Sequence, residues 1–305
     1  MRLIITFTFL LYQVYIIGQE DFTWWNKAQK WDGATPWTQY LKYSSKYLGP
    51  NALPVPFNPA GCAGDSTILE FNTAYHYYSG DQTNDMGYNC HINLVKDFIT
   101  LQIYGMLIEK YSLDTITRDI RASRNQKTSG TSMGDVNMST IIQLTKEKNL
   151  LDLALRINLK TASGQKMEEA RATDGPAYFF DLSAGKNIFY GNGTLRKINL
   201  KSYVGFYCWQ TMLTQQRQSD AYMYSMGVDL FLKNNIKIMS ELSGYNGSLK
   251  TGDSPLIFKS TLHYSLKKGG VYFEYFTGLH DYLYQSFRVG FQYKIAKSLY
   301  SKLSN

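Results

Sequence analysis

Apolar and polar residues alternate along most of this chain. The clearest stretch is 149–164, NLLDLALRINLKTASG, in which leucine or isoleucine occupies positions 151, 153, 155, 157 and 159. In an α-helix these positions would fall on two opposed arcs, whereas in a β-strand they share one face. The pattern therefore predicts a strand with one apolar face and one polar face.

Segments of this kind follow one another from residue 66 onward. They cover 66–78, 86–96, 98–110, 133–146, 149–164, 176–186, 201–213, 220–233, 235–245, 255–267, 270–279 and 283–295. KNN at 233–235 and KKGG at 267–270 are typical of hairpin turns. The repetition indicates an all-β protein built from consecutive antiparallel hairpins.

The connections between these segments are alternately long and short. The long ones are 79–85, 111–132, 163–175, 214–219, 246–254 and 279–283; the short ones lie at 97, 147–148, 234 and 268–269, and only 186–199 breaks the rule. Membrane barrels have short inner turns and longer outer loops, so we predict a transmembrane antiparallel up-and-down β-barrel of about 12 strands over 66–296. The strands of a soluble β-sandwich or propeller would also alternate apolar and polar residues, so such a fold is the alternative.

Tyrosines on the apolar face lie near the strand ends. We place Tyr75, Tyr77, Tyr88, Tyr178 and Tyr222 at the outer ends and Tyr203, Tyr264 and Tyr293 at the inner ends. Amphipathic rings favour the two membrane interfaces. The apolar faces are therefore expected to contact outer-membrane lipid, and the polar faces to line a wet lumen.

The amino terminus has the layout of a secretory signal peptide. Met1 and Arg2 precede the uncharged run LIITFTFLLYQVYIIG, and acidic Glu20 follows. We expect a signal peptide at 1–19, with a retained membrane anchor as the alternative. No later run of 18 or more apolar residues occurs. Residues 297–305 are expected to form a carboxyl-terminal tail.

Residues 20–65 are not predicted to form strands of the barrel wall. GPNALPVPFNPAGCAG carries four prolines, which lack the donor that a sheet ladder needs. Trp24, Trp25, Trp31 and Trp37 are costly to leave in water. We expect this segment to act as a plug or inner-mouth element, or to dock a protein partner. The alternative is a mobile periplasmic tail.

Composition excludes several other classes. The net charge of +8 could suit nucleic acid, but the chain has an expected signal peptide and no clustered basic helix. Three cysteines, Cys62, Cys90 and Cys208, make no disulfide framework, and no paired Cys or His spacing suggests zinc. We therefore predict no nucleic-acid partner, metal or cofactor.

Several stretches carry a family resemblance. WWNKAQKWDGATPWTQY, LGPNALPVPFNPAG, GDVNMS at 134–139 and ATDGPAYFF at 172–180 resemble outer-membrane β-barrel proteins of the Bacteroidota, a transporter-like group. The similarity covers most of the mature chain. It implies an outer-membrane barrel and names no cargo.

The polar face supplies candidate binding residues for the lumen: Glu70, Asp152, Arg156, Lys160, Asp229, Lys237, Glu241, Lys259 and Arg288. They could line a polar, partly basic path for a small polar, anionic or hydrophobic solute. Alternatively, they form ion pairs with one another across a narrow lumen and have only a structural role. Solute passage or binding is the leading function, and a structural or partner-binding barrel of a secretion or uptake complex is the alternative.

An enzyme is the least favoured class. His263 and Ser265 are two residues apart. This spacing resembles that of the histidine and serine of outer-membrane phospholipases, which use the two residues at the lipid face of their barrels. Here both residues point to the polar face, and a third group to orient the histidine cannot be identified. We predict no enzymatic activity, with an acyl-ester hydrolase as the distant alternative.

Overall fold

The computed structural model describes residues 21–146 and 151–296. The expected signal peptide (1–19), the turn at 147–148 and the expected tail (297–305) lie outside these residues. The chain divides into two units at residues 35 and 36. In the first, helix α1 spans Thr23–Gln29, and the indole Nε1 of Trp31 donates to the Thr35 carbonyl at 2.7 Å.

The second unit is built almost entirely from antiparallel strands. They are β1 (Thr67–Tyr78), β2 (Asp81–Val95), β3 (Ile99–Leu113), β4 (Ser129–Ser132), β5 (Val136–Thr145), β6 (Asp152–Lys160), β7 (Ala177–Tyr190), β8 (Leu195–Gln210), β9 (Gln218–Leu232), β10 (Ile236–Asn246), β11 (Leu256–Leu266), β12 (Gly269–His280) and β13 (Gln285–Ala296). Helix α2 (Thr115–Ile120) and two short 3₁₀ helices lie outside the strands.

Neighbouring strands close into a barrel. Each pairs with the next along the chain, except that β3 pairs with both β4 and β5, and β1 pairs with β13 to close the ring. The short β4 only extends the end of β3, so 12 strands form the wall. The predicted all-β fold and strand number are confirmed. Among the described residues, no helix is long and apolar enough to cross a bilayer.

The two ends of the barrel differ as predicted, with two corrections. The loop expected at 79–85 is a two-residue turn, because β2 already begins at Asp81. The stretch 186–199, expected as an exception, is mostly strand, because β7 and β8 continue to a turn at 191–194. Long connections at 114–135, 161–176, 211–217 and 247–255 define the long-loop end.

Side chains alternate between a lipid-type outer face and a packed inner face. Outward residues include Phe71, Ile157, Leu182, Val204, Met226, Leu262, Val289 and Phe291, all well exposed. Tyr203, predicted to face outward, instead lies inside and is buried. Its cross-strand neighbours are the inward Ser183 and Ser225. The prediction was wrong because β8 carries aromatic side chains on both faces.

Candidate functional site

The lumen of this barrel contains part of the chain itself, residues 36–65, which we call the lumen segment. It begins at the long-loop end, where the side-chain Nε2 of Gln39 donates to the Met212 carbonyl at 2.6 Å. Ser44 Oγ donates to the Thr251 carbonyl at 2.7 Å, and the Gly49 amide donates to the Ala170 carbonyl at 2.8 Å. The first part of the segment is therefore tied to three different long loops.

Apolar packing holds the middle of the lumen segment. Leu48, Leu53 and Val55 are buried in one cluster with inward aromatic side chains of the wall. The indole Nε1 of Trp209 donates to the Tyr43 carbonyl at 3.0 Å, and the Tyr203 hydroxyl donates to the Pro56 carbonyl at 2.6 Å. This side of the lumen is thus filled by a hydrophobic core.

The lumen segment ends at the short-turn end, where it leads into β1. The side chain of Gln143 donates to the Gly61 carbonyl at 2.6 Å, and the Asn93 side chain donates to the Gly64 carbonyl. Gly61 has φ of +69°, and a Cβ there would lie 2.2 Å from the Asp152 carbonyl oxygen. Only glycine fits this passage. The segment therefore crosses the whole lumen.

A buried ion cluster, which we call the outer cluster, joins the long loops to the wall. Arg171 donates through Nε to Glu109 at 2.5 Å, through Nη1 to Asp81 at 2.8 Å and through Nη2 to Thr83 at 2.8 Å. Arg121 Nη1 also donates to Asp81, at 2.7 Å. Burial alone would lower the pKa of Arg171, but the two carboxylates raise it above its usual value, so it stays charged.

Tyrosine and asparagine complete the outer cluster. The Tyr284 hydroxyl donates to Asp81 Oδ2 at 2.5 Å and accepts from Arg121 Nη2 at 2.8 Å. Burial raises the pKa of Tyr284 above its usual range, so it remains a neutral donor. Asn51 of the lumen segment donates to Glu109 at 3.0 Å and to Asp85 at 2.8 Å. The cluster thus binds the segment as well as the loops.

Sequence-predicted residues on β6 are paired within the lumen. Arg156 Nε donates to Asp181 at 2.7 Å, and Nη1 donates to the carbonyl of Phe57 in the lumen segment at 2.8 Å. Lys160 pairs with Asp135 and donates to the Gly175 carbonyl at 3.1 Å. The thiol of Cys62 lies 3.9 Å from Asp152 Oδ2. All three predicted β6 residues therefore contact either the lumen segment or a long loop.

The predicted residues on β9 to β13 form a second ion network. Lys201 lies 3.1 Å from Asp229 and 2.8 Å from Glu241, and Lys237 lies 2.9 Å from Asp229. The remaining members are Lys259, which lies 3.6 Å from both Glu241 and Glu274, and Arg288, which lies 2.9 Å from Glu274. Every predicted lumen cation thus lies beside a carboxylate.

Part of the lumen is left open. A cavity of about 370 Å³ lies between residues 54–59 of the lumen segment and the inner face of the barrel, mainly β1–β3 and β11–β13, with single residues from β6, β7, β8 and β10 and two from β5. Its wall includes Glu70, Arg156, Lys259 and Arg288 from the predicted set. Glu70 accepts hydrogen bonds from the Tyr272 hydroxyl at 2.6 Å and from the Gln292 amide at 2.9 Å.

Several lumen residues escaped prediction. Asp181 and Glu274 lie on inward faces, so strand parity could have identified them. Lys201 has the same parity as Tyr203; placing Tyr203 outward would have put an ammonium group in lipid, and this conflict was the available signal. Arg121 and Arg171 lie in loops, where no periodic pattern indicates their partners.

The predicted His263 and Ser265 both face inward. Ser265 Oγ lies 3.3 Å from His263 Nδ1, and His263 Nε2 lies 3.1 Å from Gln292 Oε1. The four predicted tryptophans fall in both units. Trp24 and Trp25 lie on α1, while Trp37 begins a 3₁₀ helix in the second unit, where the Arg124 guanidinium lies 5.1 Å from its ring centroid.

Solved structures share this fold, although no family model and no curated protein matches the chain. One is an outer membrane channel from Pseudomonas putida F1, with 12% identity and a TM-score of 0.52, over 82% of this chain and 99% of that chain. Another is the NanC porin, with 11% identity and a TM-score of 0.50, over 74% of this chain and 100% of that chain. These likenesses show the fold.

The exposed apolar residues on the outer face indicate where this barrel is located. The outer face of this closed barrel carries exposed leucine, isoleucine, valine and phenylalanine. Exposure of such a continuous apolar surface to water is unfavourable, so this face contacts lipid. This is an outer-membrane β-barrel. Because such barrels carry their longer loops at the cell surface, we expect the long-loop end there. The predicted localisation is confirmed.

Proposed function

We propose that this protein is an outer-membrane channel that binds and passes a small polar solute along the side of its lumen segment. The cavity of about 370 Å³ carries the proposal, because it is lined by polar side chains and lies within the barrel. The structures that share the fold are described as an outer membrane channel and a porin, which supports the same reading.

The lumen segment is the proposed gate of this channel. Its apolar half packs on inward aromatic residues, and Asn51 bridges Asp85 and Glu109 at the outer end of the cavity. A solute moving between the cavity and the cell surface must pass this contact. Displacement of residues 51–59 would widen the path without unfolding the wall.

The charged residues have two proposed roles. Lys160, Asp229, Lys237, Glu241 and Asp152 hold strands or the lumen segment through short polar contacts, and their role is structural. Glu70, Arg156, Lys259 and Arg288 line the cavity and would contact the solute. Because each cation there lies beside a carboxylate or a carbonyl, the path is closer to charge-balanced than to basic.

A partner-binding barrel is the second candidate. The hydrophobic core between the lumen segment and the wall favours it, since such packing resembles a stable interior more than a pore. In that case, the segment from Trp24 to Trp37 would dock a protein partner. No catalytic residue is assigned, and ester hydrolysis by His263 and Ser265 is the remaining alternative.

Conductance in planar bilayers separates these candidates. We expect the intact protein to give small, intermittent currents, and deletion of residues 22–60 behind the signal peptide to give larger, steady currents. Heat-modifiable migration on a gel checks that the shortened barrel is folded. A folded deletion variant without added conductance, together with rapid proteolysis of the segment in the intact protein, would favour the partner-binding barrel.

A further inference from the structure

One wall of the lumen cavity is rich in polar side chains, five amides and one imidazole, with the carboxylate of Glu70 among them. It comprises Asn72 on β1, Asn89 and His91 on β2, Gln102 on β3, Asn137 on β5 and Gln292 on β13. These strands are consecutive neighbours around the barrel from β13 to β5. Elsewhere the lumen is dominated by ion pairs or aromatic packing. We call these six residues the amide wall.

Strand register brings members of the amide wall side by side, with Glu70 and Tyr104 between some of them. Glu70 pairs with Asn89 on one side and with Gln292 on the other. His91 pairs with Gln102, and Tyr104 lies between Asn89 and Asn137 in the same row. Directly opposed residues share a face and lie about 5 Å apart. Neighbouring members can therefore contact one solute together.

The lumen segment leaves the amide wall uncovered. Asn51 binds Asp85 and Glu109, and the Phe57 carbonyl accepts from Arg156. The backbone amide of Asn58 donates to Glu241 and its side chain donates to Ser225, both on the side of the lumen opposite the amide wall. No described residue of the segment makes a hydrogen bond to a member of the wall. This wall is thus the open side of the cavity.

Hydrogen-bonding capacity on the amide wall is partly unused. Gln292 is bonded at both ends, to Glu70 and His263, and Asn137 Oδ1 accepts from Asn158 at 3.4 Å. Within residues 21–146 and 151–296, the side chains of Asn72 and His91 make no hydrogen bond. Gln102 Nε2 donates to Asn89 Oδ1 at 3.1 Å, which leaves the Asn89 amino group and the Gln102 carbonyl for another partner. Polar groups withdrawn from bulk water bind either ordered water or a solute.

The charged groups of the cavity already have partners. Arg288 pairs with Glu274, Arg156 pairs with Asp181, and Lys259 lies 3.6 Å from both Glu241 and Glu274. Glu70 accepts from Tyr272 and Gln292. Among the described residues, Arg156 Nη2 and Arg288 Nε make no hydrogen bond, but both atoms are buried beside these ion pairs. An ionic solute would have to break such a pair and leave a charge unpaired. A neutral hydroxyl both donates and accepts, which matches free amide groups without disturbing them.

Aromatic faces complement the amide wall. Phe57 of the lumen segment and Phe179, Tyr104 and Tyr207 of the barrel line the same cavity. A solute with hydroxyls at its edge and C–H groups on its faces suits a cavity that offers amides on one side and aromatic rings on another. The volume of about 370 Å³ limits its size to a small molecule.

We propose that the amide wall binds an uncharged polyhydroxylated solute of one or two sugar rings. This inference rests on the proposed function, since it names the class of solute that the lumen takes. Asn72 and Gln102 are its central hydrogen-bonding groups, and Arg156 and Arg288 serve to hold ion pairs rather than to attract an anion.

Calorimetric titration of the detergent-solubilised protein tests this inference without requiring an open pore. The probes are glucose, sucrose, gluconate and N-methylglucamine, of which the last two are charged and close to glucose in size. We expect saturable binding of glucose or sucrose and none of the charged probes. Stronger binding of gluconate, or no saturable binding of either sugar, would overturn the proposal.

Two variants and one control locate the binding. Asn72→Leu and Gln102→Leu each remove a donor and an acceptor from the wall and should weaken sugar binding by about tenfold. Asn84→Leu makes the same change on the exposed outer face of β2 and should leave binding unchanged. Equal binding by all three variants would overturn the assignment. Bilayer conductance, measured separately, reports whether the channel function itself fails.

Discussion

Arg171 offers the sharpest test of how the long loops are held. Its guanidinium has three partners, Glu109, Asp81 and Thr83, at distances between 2.5 and 2.8 Å. Replacement by methionine keeps much of the volume. Among the described residues, it leaves Asn51 as the hydrogen-bond partner of Glu109, and Arg121, Tyr284 and Thr83 as partners of Asp81. Removing one partner of a buried ion pair typically costs about 3–5 kcal/mol, so we expect Arg171→Met to lower the free energy of unfolding by that amount.

The measurement is guanidinium-induced unfolding of the folded barrel in lipid vesicles, followed by tryptophan fluorescence. Lys146→Met is the matched control, because Lys146 and Asp97 form an exposed pair worth about 0–1 kcal/mol. The double variant Arg171→Met with Glu109→Gln should recover part of the loss, since the carboxylate charge is gone. A loss for Arg171→Met no larger than that of Lys146→Met would refute the reasoning.

The same substitution should loosen the proposed gate. The Gly49 amide donates to the Ala170 carbonyl, next to Arg171, and Asn51 shares Glu109 with the guanidinium. We therefore expect more frequent open events in bilayer recordings of Arg171→Met. Reduced stability with unchanged conductance would separate the outer cluster from gating.

Further predictions concern the path and the wall. Pro36→Cys should react with a membrane-impermeant maleimide on intact cells, whereas Lys96→Cys in a short turn should react only after permeabilisation; the reverse order would contradict the path of the lumen segment. Gly61→Ala should raise conductance, because its Cβ would meet the Asp152 carbonyl; unchanged conductance in a stable variant argues against this anchor. Ile157→Lys should destabilise the barrel by about 2–4 kcal/mol in lipid, and a smaller loss would place this face outside the bilayer. His263→Ala should leave background ester hydrolysis unchanged, and a loss would revive the hydrolase alternative.

Alternation along the chain was sufficient to determine the wall of this barrel. Side chains of a strand point to opposite faces at every step, so Leu155 and Arg156 had to lie on different sides wherever the strand was placed. The burial of one face in lipid makes that register unambiguous. Where both faces carry aromatic residues, as around Tyr203, the signal fails, and the prediction failed there.

Tertiary structure decided how the lumen is filled. Prolines and tryptophans in residues 20–65 argued against a strand but could not choose a path, because the contacts of Gln39, Tyr43 and Gly61 join positions far apart in sequence. Arg171 reaches Glu109 and Asp81 for the same reason: closure of the ring brings distant strands and loops together. Periodicity reports only which face a side chain takes, whereas pairing across the lumen depends on barrel diameter and strand stagger, which are properties of the closed sheet.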